Sequence, residues 1–418
     1  MKERREYEIR LKAIRMYEET GRFRRTFEAV NRSRGWLAKW TKRYRLFGLD
    51  GLRDRSRVPI HVPSGTPRPV VRKILALRDE LAAHKGRRAA FSGIGAESIH
   101  FELQRRGSRK LPAISTIEKI LARAGKTKKV KGHRLAGGPP YPRVQARRMG
   151  DVQQTDLVGP RYLRGLRGVT RFYSFHTIDI VGQTAAASQF QDKQTLSLGR
   201  HLVDSWRIMG LPKVSQMDNE MAATGGGRYR HSLSQVIRLH LLLGIRLLFI
   251  PAGEPGRNAA VESFNGLWQK RVLFHHCPDL RTLRRTSDRF LRYYHVQKPS
   301  RSLTVVEHGT RFPGVLRERT WPTLQHLPDG FSLKPYIDAR GHLALPIAKG
   351  HVSWVRKVDS QGRIEFNGAE YFVRRKLERQ YVVATLSTHH RLVFIKHEGQ
   401  LIKSVPFPFK GHVIEPLR

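Results

Sequence analysis

The chain has 418 residues, 39% of them hydrophobic, which is enough apolar surface for ordinary globular cores and sets aside wholesale disorder. Its 79 Lys and Arg outnumber 34 Asp and Glu, a formal net charge of +45, and a surface that positive repels itself unless it faces a polyanion. A single cysteine, Cys277, sets aside an internal disulfide and a thiolate zinc site, and no stretch approaches the roughly 18 apolar residues of a membrane span. These bounds point to a cytoplasmic, nucleic-acid-binding protein of two to four domains, not associated with a membrane.

Residues 1–57 read as a helical helix-turn-helix domain. Tyr7, Ile9, Ile14, Met16 and Tyr17 give the first helix an apolar face, and a second helix covers roughly 24–30. Asn31-Arg32-Ser33 makes a turn, with Ser33 as the cap of a third helix through Phe47. There Trp36, Leu37, Trp40 and Tyr44 recur at helical spacing, while Arg34, Lys39, Lys42 and Arg43 occupy other faces, the layout of a recognition helix for duplex DNA. Pro63, Gly65, Pro67 and Pro69 mark a stiff linker.

Residues 70–126 read as a second helical DNA-binding domain, with helices near 70–83, 97–106 and 115–124; Ser115 and Glu118 fit a capping box. A basic, Gly- and Pro-rich stretch follows to about 148. Over 150–310 the pattern changes to strands at 153–158, 172–180, 184–190, 213–217 and 246–250, with helices at 196–209, 236–243 and 259–274. That is a mixed sheet with helices on its faces. Residues 330–418 carry short alternating strands punctuated by Gly350, Gly362, Gly368 and Gly399, expected as a small all-β C-terminal barrel with Tyr336, Trp354, Phe366 and Tyr371 in its core.

Three acids stand in unusual settings. Asp156 lies inside a strand, where acids are depleted. Asp218 follows a strand, in Gln216-Met217-Asp218-Asn219. Glu262 opens a helix after a Pro-Gly loop, in Val261-Glu262-Ser263-Phe264-Asn265, with Lys270 and Arg271 two turns on as candidate phosphate contacts. Three carboxylates meeting from distant segments can hold divalent cations, and two such ions serve phosphodiester chemistry. Spacing alone does not single these acids out among 34.

The three stretches resemble the catalytic core of the DDE integrase and insertion-sequence transposase superfamily. Asp156, Asp218-Asn219 and Val261 to Asn265 match its strand Asp, its D-N-G and its V-E-R-F-N contexts in turn. Arg292-Tyr293-Tyr294-His295 with Lys298 to Leu303 is similar to the tail after the family's core, and Gly48 to Arg57 to the junction after its helix-turn-helix. The resemblance implies an RNase H-like α/β core at 150–310 and two Mg2+ ions, replaceable by Mn2+, on Asp156, Asp218 and Glu262. It also implies 3′-end cleavage of transposon ends and strand transfer into target DNA by transesterification, in a homo-multimer holding element ends and target duplex.

The chain departs from the pattern at Glu220, where glycine is usual, and at Ser263, where arginine is usual. Between Asp218 and Glu262 lie 43 residues. The family's best-known interval of 35 would land on Glu254, but Glu254 precedes Pro255-Gly256 on a loop, whereas 222–228 is Gly-rich and can absorb the surplus. Asp179, on a strand, is expected to support the sheet. A catalytically inactive DNA-binding regulator derived from a transposase is the alternative.

Overall fold

The computed structural model describes residues 2–54, 65–83, 90–108, 111–127, 138–166, 168–219, 231–298, 300, 303 and 324–417. The expected linker at Pro63, the Gly-rich loop at 222–228, Glu220, and Pro299, Arg301 and Ser302 of the tail motif lie outside them. The chain divides into two compact units, Met1–Pro67 and Arg68–Arg418. No helix among the described residues is long and apolar enough to cross a membrane.

The first unit holds α1 (Lys2–Thr20), α2 (Phe23–Ala29) and α3 (Arg34–Phe47). Ile14, Trp40 and Leu52 form its buried centre, flanked by Tyr7, Leu11, Trp36 and Tyr44. The α2–α3 turn passes through Asn31 at φ 52°, a backbone conformation asparagine tolerates. Ser33 Oγ then accepts from the Trp36 amide at 3.2 Å, capping α3 as its sequence indicates. After α3 the chain folds back so closely that a Cβ on Gly51 would stand 2.2 Å from the Arg43 carbonyl oxygen, so only glycine fits there.

The second unit begins with α4 (Arg68–Ala82), α5 (Ala96–Arg105) and α6 (Ile114–Arg123) around Ile74, Leu77, Leu81, Ile99, Leu103, Ile117 and Leu121. The expected cap at Ser115 is displaced. The cap position of helix α6 falls two residues earlier, at Ala113, with no side-chain cap. Ile117, Ile120 and Leu121 are buried along the helix.

The mixed sheet is built from β1 (Val152–Gly165), β2 (Gly168–Asp179), β3 (Ala185–Phe190), β4 (Val214–Met217) and β5 (Arg246–Phe249). Helices α7 (Thr195–Met209), α8 (Gln235–Leu242) and α9 (Ala259–Val272) fall within one or two residues of their expected bounds. A further helix, α10 (Leu280–Val296), was not anticipated. Asp279 caps it by accepting from the Thr282 amide at 2.7 Å, and Leu283, Phe290 and Tyr294 bury its apolar stripe against α9. Asp279 after Pro278, and the spacing of Leu280, Leu283, Phe290 and Tyr294, were the available signals.

The C-terminal strands are β6 (Ile347–Ala348), β7 (His351–Lys357), β8 (Arg363–Phe366), β9 (Ala369–Phe372), β10 (Tyr381–Ser387), β11 (Leu392–His397), β12 (Gln400–Pro406) and β13 (Val413–Ile414). Four of them continue the central sheet. Among the described residues its order is β12-β11-β10-β7-β5-β4-β1-β2-β3, with β5 and β7 paired in parallel from Leu247↔Val352 to Phe249↔Trp354. An aromatic stack crosses the join: Phe249 on Trp354 at 5.9 Å, Trp354 on Phe366 at 5.1 Å and Phe366 on Tyr371 at 4.4 Å. Tyr336 packs against the same core.

Because that stack straddles the join, Phe249→Ala should cost about 3–5 kcal/mol and loosen both sides together. Urea unfolding followed by tryptophan fluorescence and by far-UV circular dichroism should shift as one transition. Separate shifts would mean that the C-terminal strands fold independently of the sheet.

Candidate active site

The parallel pairing of β1 with β4 runs from Val152↔Val214 to Thr155↔Met217. One step further in that register sets Asp156 beside Asp218. Side chains alternate along a strand, so Asp156 shares a sheet face with Gln154, and Asp218 with Gln216. Those two glutamines anchor α9 over that face. Gln154 Oε1 accepts from the backbone amides of Ala260 at 3.0 Å and Val261 at 3.3 Å. Gln216 Nε2 donates to the Arg257 carbonyl at 2.9 Å and to Asn258 Oδ1 at 3.2 Å, while Asn258 Nδ2 donates to the Thr155 carbonyl at 3.1 Å. Helix α9 has no side-chain cap of its own, and a strand glutamine satisfies its first amides instead.

The consequence is local and chemical. Glu262, one turn into α9, joins Asp156 and Asp218 in lining one cleft of about 250 Å³, with Asn219, Glu254 and Asn258 also on its wall. Asn265, three residues on and therefore on the same helical stripe, donates Nδ2–H to Asp156 Oδ2 at 2.6 Å. Burial, then the charges of Asp218 and Glu262, push the Asp156 carboxyl up to about 7 against the opposing hydrogen bonds from the Leu157 amide and Asn265. A half-buried carboxyl pressed by two others is a place that favours a cation. The donor set is oxygen only, which fits magnesium or manganese rather than a soft metal. Among the described residues no three His, Cys, Asp or Glu side chains form a ready-made cage for a single ion; the carboxylates face a shared space instead.

Glu254 reaches the same cleft but is otherwise engaged. Tyr381 Oη donates to its carboxylate at 2.8 Å and Arg257 Nε pairs with it at 2.9 Å. Tyr381 belongs to β10, so a C-terminal strand braces the loop that leads into α9. Arg356 of β7 acts on the other side of the cleft: Nη2 donates to Asn219 Oδ1 at 2.8 Å and Nη1 to the Ile250 carbonyl at 3.3 Å. Asn219 Nδ2 donates to that same carbonyl at 2.8 Å, which fixes the residue next to Asp218. Burial pushes Arg356 down to about 10. No signal in the primary structure tied Arg356, Tyr381, Gln154 or Gln216 to the site, because their contacts span from 41 to 137 residues of chain.

Asp179 is remote from this cleft's lining. Its oxygens accept from the amides of Gly150 at 2.8 Å, Val181 at 3.0 Å and Gly182 at 2.6 Å, so it holds a turn at the end of β2. Cys277 is buried and its thiol donates to Thr286 Oγ1 at 3.7 Å. Of the basic candidates, Arg34, Lys39 and Lys42 are exposed on α3 and Lys270 on α9, whereas Arg271 is only partly exposed. Arg43 is turned inward: its guanidinium lies 4.5 Å from the Trp40 ring and donates to the Arg53 carbonyl at 2.8 Å.

The Asp156 shift has a stability consequence whose sign can be worked out. Its folded-state value, about 7, lies above the ordinary 3.8, so the native state holds the proton more tightly than the unfolded chain. That contribution is complete below about pH 4 and is lost as pH rises through about 7. In chelator, Asp156→Asn should therefore melt a few degrees above the unsubstituted protein at pH 8, and the gap should close toward pH 4. A variant that melts lower at pH 8 would contradict this electrostatic reading.

A family model described as an integrase core domain matches residues 243–306, and one described as a helix-turn-helix domain matches residues 9–59. The first spans Glu262, α9 and α10; the second spans α2 and α3. No curated protein matches the chain. Among solved structures, a simian T-cell lymphotropic virus intasome is 13% identical, with 76% of this chain and 96% of that chain covered and a TM-score of 0.33. The HTLV-2 integrase catalytic core domain in complex with magnesium, in a trimeric form, is 12% identical over 40% of this chain and 96% of that one, with a TM-score of 0.30. The catalytic core domain of BIV integrase is 11% identical over 40% and 93%, with a TM-score of 0.29. The chain is a multidomain protein that joins a helix-turn-helix domain to an integrase core domain, as its resemblance to the DDE integrase and insertion-sequence transposase superfamily implied.

Proposed function

We propose that this protein is a DNA transposase whose active site is the cleft lined by Asp156, Asp218 and Glu262. The observation that carries the reading is their convergence from β1, the end of β4 and the first turns of α9, in a chain that also bears a helix-turn-helix. Two magnesium ions held by these carboxylates, with manganese able to substitute, would supply the charge that stabilises the attacking and leaving oxygens of a phosphodiester.

The chain's own residues do the rest. Asp156 and Asp218 are set side by side by strand register, and the backbone anchors on Gln154 and Gln216 hold Glu262 toward them. Asn265 holds one oxygen of Asp156, and Arg356 with Asn219 stiffens the segment after β4. Glu254, neutralised by Arg257 and Tyr381, is a brace and not a ligand. Exposed Arg34, Lys39 and Lys42 on α3 meet duplex DNA at the element ends, and Lys270 meets phosphate nearer the cleft. Water frees a 3′-hydroxyl at each end, and that hydroxyl attacks target DNA; because two ends must be held together, the working form is a homo-multimer.

Purified protein, Mg2+ and a duplex bearing an element end test this directly. Asp156→Asn, Asp218→Asn and Glu262→Gln should each cut 3′-end cleavage by on the order of 10²–10³ or more while leaving DNA binding intact. Glu254→Gln should retain most of the cleavage. DNA bound tightly with no nicking, unchanged by Asp156→Asn, would instead identify a regulator without catalysis. Replacing Lys39 and Lys42 by alanine should weaken DNA binding and flatten its salt dependence by about one unit of slope per lost phosphate contact; an unchanged slope would remove α3 from the DNA path.

A further inference from the structure

Behind Asp156 a line of buried polar groups runs into the core. His176 is the cross-strand partner of Asp156 in the β1–β2 pairing. Its Nδ1 lies 2.6 Å from Asn265 Oδ1 and its Nε2 lies 2.7 Å from Ser174 Oγ. Gln189 Nε2 donates to Ser174 Oγ at 3.0 Å and to Ser287 Oγ at 3.1 Å, and Trp268 Nε1 donates to Ser287 Oγ at 2.9 Å. Ser174 and His176 are wholly buried, and Phe264 and Trp268 pack edge-on against the imidazole with ring centres 5.3 and 4.8 Å away.

The direction of each bond follows from what each group can do. Asn265 presents its amide nitrogen to Asp156 and its carbonyl oxygen to His176. That oxygen needs a donor, so the imidazole proton sits on Nδ1. With that proton on Nδ1, Nε2 is left to accept from the Ser174 hydroxyl. Ser174 in turn accepts from Gln189. Every bond from Gln189 through Ser174, His176 and Asn265 therefore points toward Asp156.

We propose that His176 is a positioning residue for Asp156: by donating Nδ1–H to Asn265 it locks the amide that holds one Asp156 oxygen, and so sets the direction in which the other oxygen faces the cleft. The inference rests on the cleft being a divalent-metal centre. Stability alone does not account for the arrangement, because an apolar cluster of the same shape would serve folding about as well as a string of buried hydrogen bonds. Groups that orient metal ligands from behind typically contribute about 10–100-fold in metal affinity.

The test measures Mn2+ binding to the full chain by calorimetry, with thermal melting in chelator as the control for folding. His176→Leu, which removes the donor, should weaken Mn2+ binding by about 10–100-fold. His176→Asn, which keeps an N–H at the same branch, should recover most of it. Ser174→Ala, a milder change that frees the imidazole to adopt the other tautomer, should weaken binding in the same direction and serves if His176→Leu does not fold. Unchanged affinity in the folded Leu or Ala variants overturns the proposal, as does equal loss in His176→Leu and His176→Asn, which would mean that only packing matters. An unsubstituted protein that binds no Mn2+ also overturns it, but does so by removing the metal centre itself.

Discussion

The parallel register of β1 against β4 is the constraint on which the rest of the site depends. It sets Asp156 next to Asp218, and one pleat earlier it sets Gln154 next to Gln216 on the same face. The glutamines use that adjacency to receive the N-terminus of α9, which brings Glu262 and Asn265 over the acids. A slip of one residue would turn Asp156 and Gln154 to the face opposite Asp218 and Gln216 and separate these groups at once. On the face that carries the acids and glutamines, the hydrophobic side chains Val152, Val214 and Leu248 lie buried in one cluster with Tyr381.

The same sheet extends into the C-terminal strands, and the cleft is finished by them. Arg356 of β7 and Tyr381 of β10 each reach a loop on the cleft wall, one at Asn219 and the other at Glu254. The all-β segment is therefore structurally part of the site's support. This has an electrostatic side. The chain as a whole is strongly cationic, yet its cleft gathers carboxylates whose mutual repulsion and burial raise Asp156. Positive surface attracts polyanions, whereas the carboxylates of the cleft repel them at close range.

Several features were written locally and read correctly. Ser33 caps α3, and the helix bounds of 150–274 fall close to expectation, while β1 runs on to Gly165 and β2 starts back at Gly168. Others were not. Ser115 lies inside the first turn of its helix, and Ala113 takes the cap position. Helix α10 was overlooked because its many arginines mask a narrow apolar stripe that only α9 makes meaningful. Arg43, indistinguishable by pattern from Lys39 or Lys42, turns inward to stack on Trp40.

By itself the amino-acid order determined the period of each element, the polyanion-seeking charge, and the few short motifs around Asp156, Asp218 and Glu262, since these depend on residues close in the chain. It did not determine that Gln154 would cap α9, that Arg356 and Tyr381 would close the cleft, or that His176 would stand behind Asn265. Those are contacts between strands and helices far apart in the chain, and they exist only once sheet register and helix packing have chosen which side chains face one another.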